Sequence, residues 1–234
     1  MYRLVGKRML DVIGAITLII ALSPIFLIVI ILVRFNLGKP IIFKQIRPGK
    51  NEKLFYMYKF RTMTDEVDDE GRLLSDDIRL TKFGEFLRKT SLDELPELFN
   101  ILKGDMSFIG PRPQLVEDMC FMTKEERKRH LVKQGLTGLA QINGRNEILW
   151  PQKIEYDLKY MENITLKNDV CIFLKTIIKV FKKEGISSKG TKTSYNYGDY
   201  LLIAKKINKS EYDSKKEMAQ NIIKEFEKKN KWKN

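Results

Sequence analysis

The feature that most constrains this chain is an apolar segment, residues 12–33, which contains no charged side chain. As one α-helix, its 22 residues would be about 33 Å long, enough to cross the hydrocarbon core of a bilayer. Hydropathy alone therefore favours a single spanning helix. The segment is too long for a signal peptide, and no small-residue cleavage site follows it.

Two features of this segment argue against a straight crossing. Ser23 and Pro24 lie in its middle, where a proline removes a backbone hydrogen bond and kinks or breaks a helix. Basic side chains also flank both ends, so the positive-inside rule is satisfied best if both ends are cytoplasmic. The flanking residues are Arg3, Lys7, Arg8, Arg34, Lys39, Lys44 and Arg47. We therefore predict a re-entrant, membrane-inserted helix over residues 1–36, which would make the protein monotopic.

The distribution of charge supports a membrane partner. Residues 1–61 carry 11 basic and 2 acidic side chains, in a chain whose formal net charge is +13. Beside a long apolar segment, this excess predicts binding to anionic lipid and no nucleic-acid partner. Cys120 and Cys171 lie far apart in no metal spacing, as in a reducing compartment. His130 is the only histidine, which leaves little material for zinc or Ser–His chemistry, and we expect it on a solvated helix.

The rest of the chain predicts an α+β, mostly helical fold. Residues 40–46 and 53–60 alternate like strands around a turn-forming segment and predict a hairpin, which Lys59 and Arg61 close. Without a functional role, these two cations would simply mark an exposed, solvated strand end. An acidic surface loop follows at residues 65–77. Helical spacing recurs in residues 81–89, 123–133, 150–161, 166–183 and 211–233. The apolar face of residues 166–183 should be packed or interfacial. Residues 201–234 form a lysine-rich extension, which we predict to be helical from its pattern.

A pair of adjacent carboxylates stands at a predicted helix start. Ser91 and Glu94 have the spacing of a capping box, with Asp93 in the first turn, where free N–H groups favour anions. Pro96 fits better if Asp93 is the cap itself, and the sequence leaves both alternatives open. A carboxylate held ionised near Arg88 could act as a nucleophile toward phosphorus.

Two glycine-containing loops would place cations near these carboxylates. Gly110, Pro111 and Pro113 make a stiff loop around Arg112, as bidentate phosphate recognition requires. A second loop, residues 135–146, ends near Arg145. Residues 185–193 nearly match a phosphate-binding P-loop, but the Lys-Thr pair is out of register and a helix precedes it, so we reject that motif.

Together these motifs resemble the bacterial sugar transferase family, the small monotopic polyprenyl-phosphate phosphoglycosyl transferases, of the type that handles diacetamido-bacillosamine. The resemblance runs from about residue 7 to about residue 197 and keeps the motifs in one order. They are Lys7-Arg8-x-x-Asp11, Ser23-Pro24, Tyr58-Lys59-Phe60-Arg61-Thr62-Met63, Ser91-Leu92-Asp93-Glu94-Leu95-Pro96, Asn100-x-Leu102-Lys103-Gly104-Asp105-Met106-Ser107, Gly110-Pro111-Arg112-Pro113 and Gly138-Leu139-Ala140-Gln141. One departure is Gln134, where relatives often have proline.

The resemblance implies an enzyme at the cytoplasmic face of the bacterial plasma membrane. It would move a sugar 1-phosphate from a UDP-sugar, with an acetamido sugar favoured, to polyprenyl (undecaprenyl) phosphate, and release UMP. This step would start glycoconjugate assembly, with other glycan-assembly enzymes as partners. It implies that Asp93 is the nucleophile and a Mg²⁺ ligand, that Glu94 is its partner, and that residues 37–200 form the catalytic domain. Substrate contacts fall on Lys59, Arg88, Pro111, Arg112, Arg145 and Asp157, and membrane contacts on Lys7, Arg8, Ser23 and Pro24.

Two other interpretations stay open. In one, the same reaction runs by single displacement, with Asp93 orienting Mg²⁺ rather than bonding to phosphorus. In the other, the chain is a membrane-tethered basic binding module without catalysis. The second accounts for the net charge but gives no reason for Asp93 and Glu94 to stand between Arg88 and Arg112.

Overall fold

The computed structural model describes residues 2–144, 148–182 and 195–230. Within these ranges it confirms a mostly helical α+β architecture. The helices are α1 (Lys7–Ala21), α2 (Ser23–Leu37), α3 (Asp76–Arg79), α4 (Lys82–Lys89), α5 (Glu97–Lys103), α6 (Val116–Phe121), α7 (Leu139–Ile142), α8 (Trp150–Glu162), α9 (Leu166–Lys182), α10 (Tyr197–Ile203) and α11 (Lys209–Asn230). The strands are β1 (Ile42–Pro48), β2 (Leu54–Phe60), β3 (Met106–Ile109) and β4 (Gln134–Thr137).

The apolar segment is broken at the predicted place. Helices α1 and α2 meet at a 64° bend, and Pro24 lies in the first turn of α2, where its missing N–H removes no helical hydrogen bond. Ser23 Oγ donates to the carbonyl of Ile20 at 2.8 Å. No single helix among the described residues is long and apolar enough to cross a membrane, so the straight helix that hydropathy favoured is absent there.

Helices α1 and α2 bury one side against the protein and expose the other. Ala15, Val29 and Val33 are at most 3% exposed and pack with the hairpin, α4 and α5. The opposite side presents large apolar side chains, namely Met9, Leu10, Ile13, Ile16, Ile20, Ile25, Leu27, Ile28, Ile31, Leu32 and Phe35. An apolar surface of this extent indicates contact with a membrane or another protein.

The predicted hairpin is confirmed as an antiparallel pair, in which Ile42 opposes Phe60 and Pro48 opposes Leu54. Its end is not solvated, because Arg61 is only 8% exposed. The Arg61 guanidinium donates to the carbonyls of Leu37 (3.1 Å) and Lys39 (2.8 Å) and so ties the hairpin to the end of α2.

A second, parallel pair joins β3 to β4, with Met106 opposite Gln134. The sequence predicted a charged helix over residues 123–133, but the structure has a 3₁₀ turn at Glu126–Leu131 followed by β4. The prediction of a solvated His130 is wrong: the side chain is 1% exposed, and burial, with the Arg129 charge, lowers its pKa to about 3. Residues 124–130 are all charged or titratable, so nothing in the sequence indicated that Arg129 and His130 face the interior.

Two late helices are confirmed and differ in their surroundings. The apolar face of α9 is open, with Val170, Phe173, Leu174, Ile177 and Ile178 between 39% and 55% exposed. In α11, by contrast, Ala219 is buried and Ile222, Ile223 and Phe226 pack against β1, β2 and α6. The lysine-rich extension is therefore docked on the rest of the molecule.

Candidate active site

The chain reaches Asp93 through a tight turn rather than through a helix cap. Ser91 adopts the left-handed conformation (φ 56°), and its side chain makes no capping hydrogen bond. A 3₁₀ turn spans Leu92–Glu94, and α5 begins only at Glu97, with Pro96 as its N-cap residue. Neither proposed cap is therefore correct. The proline fixes where α5 starts and leaves both carboxylates on the turn before it.

Glu94 is held by two cations. Its Oε1 lies 2.8 Å from Lys59 Nζ and 2.5 Å from Arg112 Nη2. Burial alone would raise the pKa of Glu94, but Arg112 and Lys59 outweigh it and hold that pKa well below its usual range. Glu94 is therefore ionised at neutral pH and occupied by its partners.

Glu97 is a third carboxylate, which the sequence did not single out. It is 1% exposed, and its Oε1 lies 3.2 Å from Lys59 Nζ. Burial raises the pKa of Glu97 to about 7, against the attraction of Lys59. Lys59 therefore bridges Glu94 and Glu97, and these two acids outweigh its burial and raise its pKa.

Asp93 is buried, at 7% exposure, but its carboxylate is unengaged. Among the residues that the structure describes, no side chain or backbone group forms a hydrogen bond or ion pair with it. Burial, reinforced by the charge of Glu94, raises its pKa to about 6, while Lys59, Arg88 and Arg112 act in the opposite direction. Asp93 is thus mostly ionised at neutral pH, and its oxygens are available to a ligand or an electrophile.

Lys59 is fixed in β2 by the neighbouring helix. Asn100 of α5 is fully buried, accepts from the backbone N–H of Tyr58 at 3.0 Å and donates to the carbonyl of Tyr56 at 2.6 Å. These two bonds set α5, and with it the Asp93 turn, against the strand that carries Lys59. Sequence reasoning gave Asn100 no such role, because an isolated Asn carries no signal of a distant backbone partner.

Arg88 approaches from α4. Its Nε donates to Thr62 Oγ1 at 3.1 Å, just beyond the end of β2. Helix α4 lies so close to this segment that a Cβ on Gly84 would fall 1.8 Å from the Thr62 carbonyl oxygen. The glycine therefore allows α4 to pack closely enough that the charge of Arg88 lowers the pKa of Asp93.

A buried ion pair holds the backbone of the Arg112 loop. Arg129 donates to the Arg112 carbonyl at 2.6 Å and pairs with Asp157 at 2.7 Å, and both side chains are almost fully buried. The Pro111 carbonyl accepts from Gly135 N–H at 2.8 Å, which ties the loop to β4. Asp157 therefore sits behind Arg112, and Arg129 is a supporting residue that the sequence did not reveal. Gln134, the departure from the family pattern, is fixed by donating to the Arg129 and Val132 carbonyls.

The N-terminal basic residues bind protein groups. Lys7 Nζ lies 2.6 Å from Asp169 Oδ2, and Arg8 donates to the carbonyls of Ile101 and Leu102 at the end of α5. Their contact with lipid, like that of Ser23 and Pro24, stays a prediction. Arg145 and residues 185–193 lie outside the described residues.

The carboxylates of this site suit a metal ion that takes its remaining ligands from the substrate and from water. In the described ranges, no three His, Cys, Asp or Glu side chains gather as a metal site. Mg²⁺, however, is often bound by one or two carboxylates together with substrate phosphates and waters. Asp93 fits that pattern, because its oxygens form no hydrogen bond or ion pair with a described residue, whereas Glu94 Oε1 faces both Lys59 and Arg112.

Comparison with known proteins places this geometry in a family. The family model "Bacterial sugar transferase" matches residues 2–183, which include every element of the site. The chain belongs to the bacterial sugar transferase family. The matched region ends before α10 and α11, so these two helices lie beyond what this family model describes.

Three relatives illustrate the range of this family. The chain is 48% identical over 191 residues to the uncharacterized sugar transferase EpsL of Bacillus subtilis, covering 82% of this chain and 95% of that protein. It is 41% identical to the exopolysaccharide production protein ExoY of Sinorhizobium fredii, covering 77% and 88% respectively. It is 42% identical to the UDP-glucose:undecaprenyl-phosphate glucose-1-phosphate transferase of Klebsiella pneumoniae, covering 76% of this chain but only 40% of that protein.

Proposed function

We propose that this bacterial sugar transferase moves a sugar 1-phosphate from a UDP-sugar to polyprenyl phosphate and releases UMP, through a covalent phospho-sugar on Asp93. The observation that carries the proposal is the buried, unengaged Asp93 carboxylate beside the Glu94–Lys59–Arg112 network. The name of the Klebsiella pneumoniae relative supports the overall reaction, as does that of the undecaprenyl-phosphate galactose phosphotransferase of Salmonella typhimurium.

In the first step, an Asp93 oxygen attacks the sugar-linked phosphorus, and the bond from this phosphorus to the UMP oxygen breaks. UMP leaves with the electron pair, and the sugar phosphate stays on Asp93 as an acyl phosphate. In the second step, an oxygen of polyprenyl phosphate attacks the same phosphorus and frees the carboxylate. Asp93 needs no general base, because most of it is ionised at pH 7.

The obstacle to this attack is repulsion between a carboxylate and a diphosphate. Arg112, with its side chain 38% exposed, has further N–H donors for phosphate oxygens beyond the one used on Glu94. Glu94 aligns Arg112 and Lys59 before substrate binds. Mg²⁺ held by Asp93 and the diphosphate would add charge neutralisation.

We further propose that α1 and α2 form a re-entrant membrane segment and that the site faces the cytoplasm. The 64° bend, the exposed apolar side of both helices and the open apolar face of α9 support this placement. It would put a polar nucleotide site beside the bilayer, from which a polyprenyl phosphate can enter.

The sugar is the least constrained part of the proposal. An acetamido sugar of the diacetamido-bacillosamine type rests on the sequence resemblance, whereas the names of relatives specify glucose and galactose. UMP release should therefore be screened with detergent-solubilised protein over UDP-sugars of all three kinds, with polyprenyl phosphate present. UMP release with one donor would support the reaction. Its absence with every donor would count against it.

The exchange of labelled UMP separates the covalent route from single displacement. With UDP-sugar and no polyprenyl phosphate, a covalent enzyme should return label from UMP into UDP-sugar, because the first step is reversible. An enzyme in which Asp93 only orients Mg²⁺ should show turnover with the acceptor but no exchange without it.

A further inference from the structure

Lys153, on the first turn of α8, is a cation that Asp118 and Asp157 attract without forming an ion pair with it. It is 9% exposed, and within the described residues its ammonium forms no hydrogen bond or ion pair. Its Nζ lies 5.2 Å from the centroid of the Trp150 ring. Lys153 Nζ is not one of the fully buried polar atoms that lack a partner, so the stem of the side chain is buried while the ammonium stays accessible to an anion.

Arg47, on β1, is a second cation that is only partly engaged. Its Nη2 donates to Gln45 Oε1 at 2.6 Å and its Nη1 to the Pro113 carbonyl at 3.3 Å, while its buried Nε has no partner. No carboxylate pairs with it among the described residues. Burial lowers its pKa to about 10, so it still carries its charge at neutral pH.

Both cations lie by the Arg112 loop. The charges of Asp118 and Arg112 act on the pKa of Arg47 and on that of Lys153 alike. The two oxygens of Asp118 accept backbone N–H groups of Leu115 (3.0 Å) and Tyr197 (2.8 Å). Other acids act on these cations as well, since Glu97 attracts Arg47, Asp157 attracts Lys153 and Glu94 pairs with Arg112. Neither Arg47 nor Lys153, however, forms an ion pair with a described carboxylate.

The contacts of α8 show on which side of Arg112 the side chain of Lys153 lies. Asp157 follows Lys153 by one turn of α8, and Arg129 connects Asp157 to the Arg112 carbonyl. Lys153 is therefore on the backbone side of the Arg112 loop. The Arg112 side chain, in contrast, reaches Glu94 beside Asp93.

We propose that Lys153 and Arg47 form an anion subsite next to Arg112, which takes the phosphate of the UMP half of the donor. This inference rests on the proposed function. Attack in line from Asp93 requires the leaving phosphate to lie on the far side of the reacting phosphorus. Lys153 lies on the side of the Arg112 loop away from the Glu94 contact, and Arg47 donates to the Pro113 carbonyl of the same loop. A lysine binds such a phosphate as a point charge.

The test is the affinity for UMP alone, measured by calorimetry on the solubilised full chain. Lys153→Met should weaken UMP binding about tenfold or more, as expected for a lost charge-assisted contact. It should leave the melting temperature close to that of the wild type, because Lys153 forms no hydrogen bond or ion pair with a described residue that the substitution would remove. Lys153→Arg should retain affinity within about threefold. Lys159→Met, on the exposed side of the same helix, is the matched control and should change neither quantity.

Each result decides a separate point. Unchanged UMP affinity in Lys153→Met, with wild-type UMP release from UDP-sugar, would overturn the subsite and leave the proposed function intact. A rise in KM confined to polyprenyl phosphate would assign the subsite to the lipid phosphate and overturn the nucleotide assignment. A Lys153-dependent affinity for UMP in a protein that releases none from any UDP-sugar would support the subsite and contradict the proposed function.

Discussion

At the residue scale, two adjacent carboxylates have environments that move their pKa values in opposite directions. Burial and the neighbouring charge raise the pKa of Asp93 to about 6, whereas Arg112 and Lys59 hold the pKa of Glu94 well below its usual range. Such separation assigns different roles to a pair of acids. Asp93 has free oxygens for covalent chemistry, and Glu94 orients the two cations.

The acidic side of the pH–rate profile should therefore report Asp93. A carboxyl group is protonated, and so not nucleophilic, below its pKa, so kcat/KM should fall as the pH drops below about 6. Glu94→Gln removes one negative charge, which should lower the pKa of Asp93. The acidic limb of the profile should therefore move to lower pH by about one unit. The rate at neutral pH should fall about 100-fold, because Lys59 and Arg112 lose their alignment.

A steady-state pH series from 5 to 8 measures both effects. Glu162→Gln, an exposed acid at the end of α8, serves as the control and should keep the wild-type profile. An acidic limb at the same pH in Glu94→Gln as in the wild type would contradict the assignment of this limb to Asp93.

At this scale the sequence predicted Asp93, Lys59, Arg88 and Arg112 as site residues, and the structure brings these four together. Glu97 was missed because an acid in the first turn of a helix is ordinary. Arg129 was missed because it stands in a run of charged residues that is typical of a solvated surface. Burial, which gives both residues their effect, depends on contacts that are distant in sequence.

At the element scale, the site depends on how closely α4 and the Arg112 loop approach the hairpin and β4. Helix α4 rests on the Thr62 backbone through Gly84, and the loop rests on a buried Arg129–Asp157 pair. Helix α4 and the hairpin were predictable from periodicity and turn residues. Their close approach was not, and the predicted capping box was wrong because Pro96 delays the start of α5.

Gly84→Ala tests the first of these contacts. The added Cβ would lie 1.8 Å from the Thr62 carbonyl oxygen, so α4 must move and carry Arg88 away from Asp93. We expect at least a tenfold lower kcat/KM and a lower melting temperature, measured by UMP release and thermal unfolding. Lys82→Ala, exposed on the same helix, should alter neither, and wild-type activity in Gly84→Ala would refute this role of α4.

Asp157→Ala tests the second contact. Removing one member of a buried ion pair leaves the Arg129 charge uncompensated, at a cost of about 3–5 kcal/mol in the free energy of unfolding. Denaturant unfolding should show this loss, with reduced UMP release because the support of the Arg112 loop is gone. Asp213→Ala removes an exposed pair with Lys209 and should leave stability unaltered. Equal stability of Asp157→Ala and the wild type would rule out the proposed support.

At the scale of the whole molecule, a bent helix pair with an apolar outer surface lies beside a polar site. The sequence predicted the bend from Ser23 and Pro24, because a proline inside a helix acts locally. It did not predict which faces of α1 and α2 would be covered, nor that α11 would dock on the hairpin and α6. Those outcomes depend on the complementary shape of distant surfaces.

The proposed re-entrant topology has a direct consequence for labelling. In a background in which Cys120 and Cys171 are replaced, single cysteines at Arg3 and Lys39 should react only with reagent on the cytoplasmic side. Both flanks lie on that side if α1 enters and α2 returns. Labelling of the two positions from opposite sides of the membrane would show a spanning segment instead.

The most direct measurement for the central claim is the intact mass of the protein after reaction with a donor UDP-sugar in the absence of polyprenyl phosphate. The wild type should gain the mass of one sugar phosphate, and subsequent addition of polyprenyl phosphate should remove it. Asp93→Asn should gain nothing and should release no UMP. An adduct that forms equally on Asp93→Asn, or turnover by the wild type without any adduct or UMP exchange, would contradict the covalent role of Asp93.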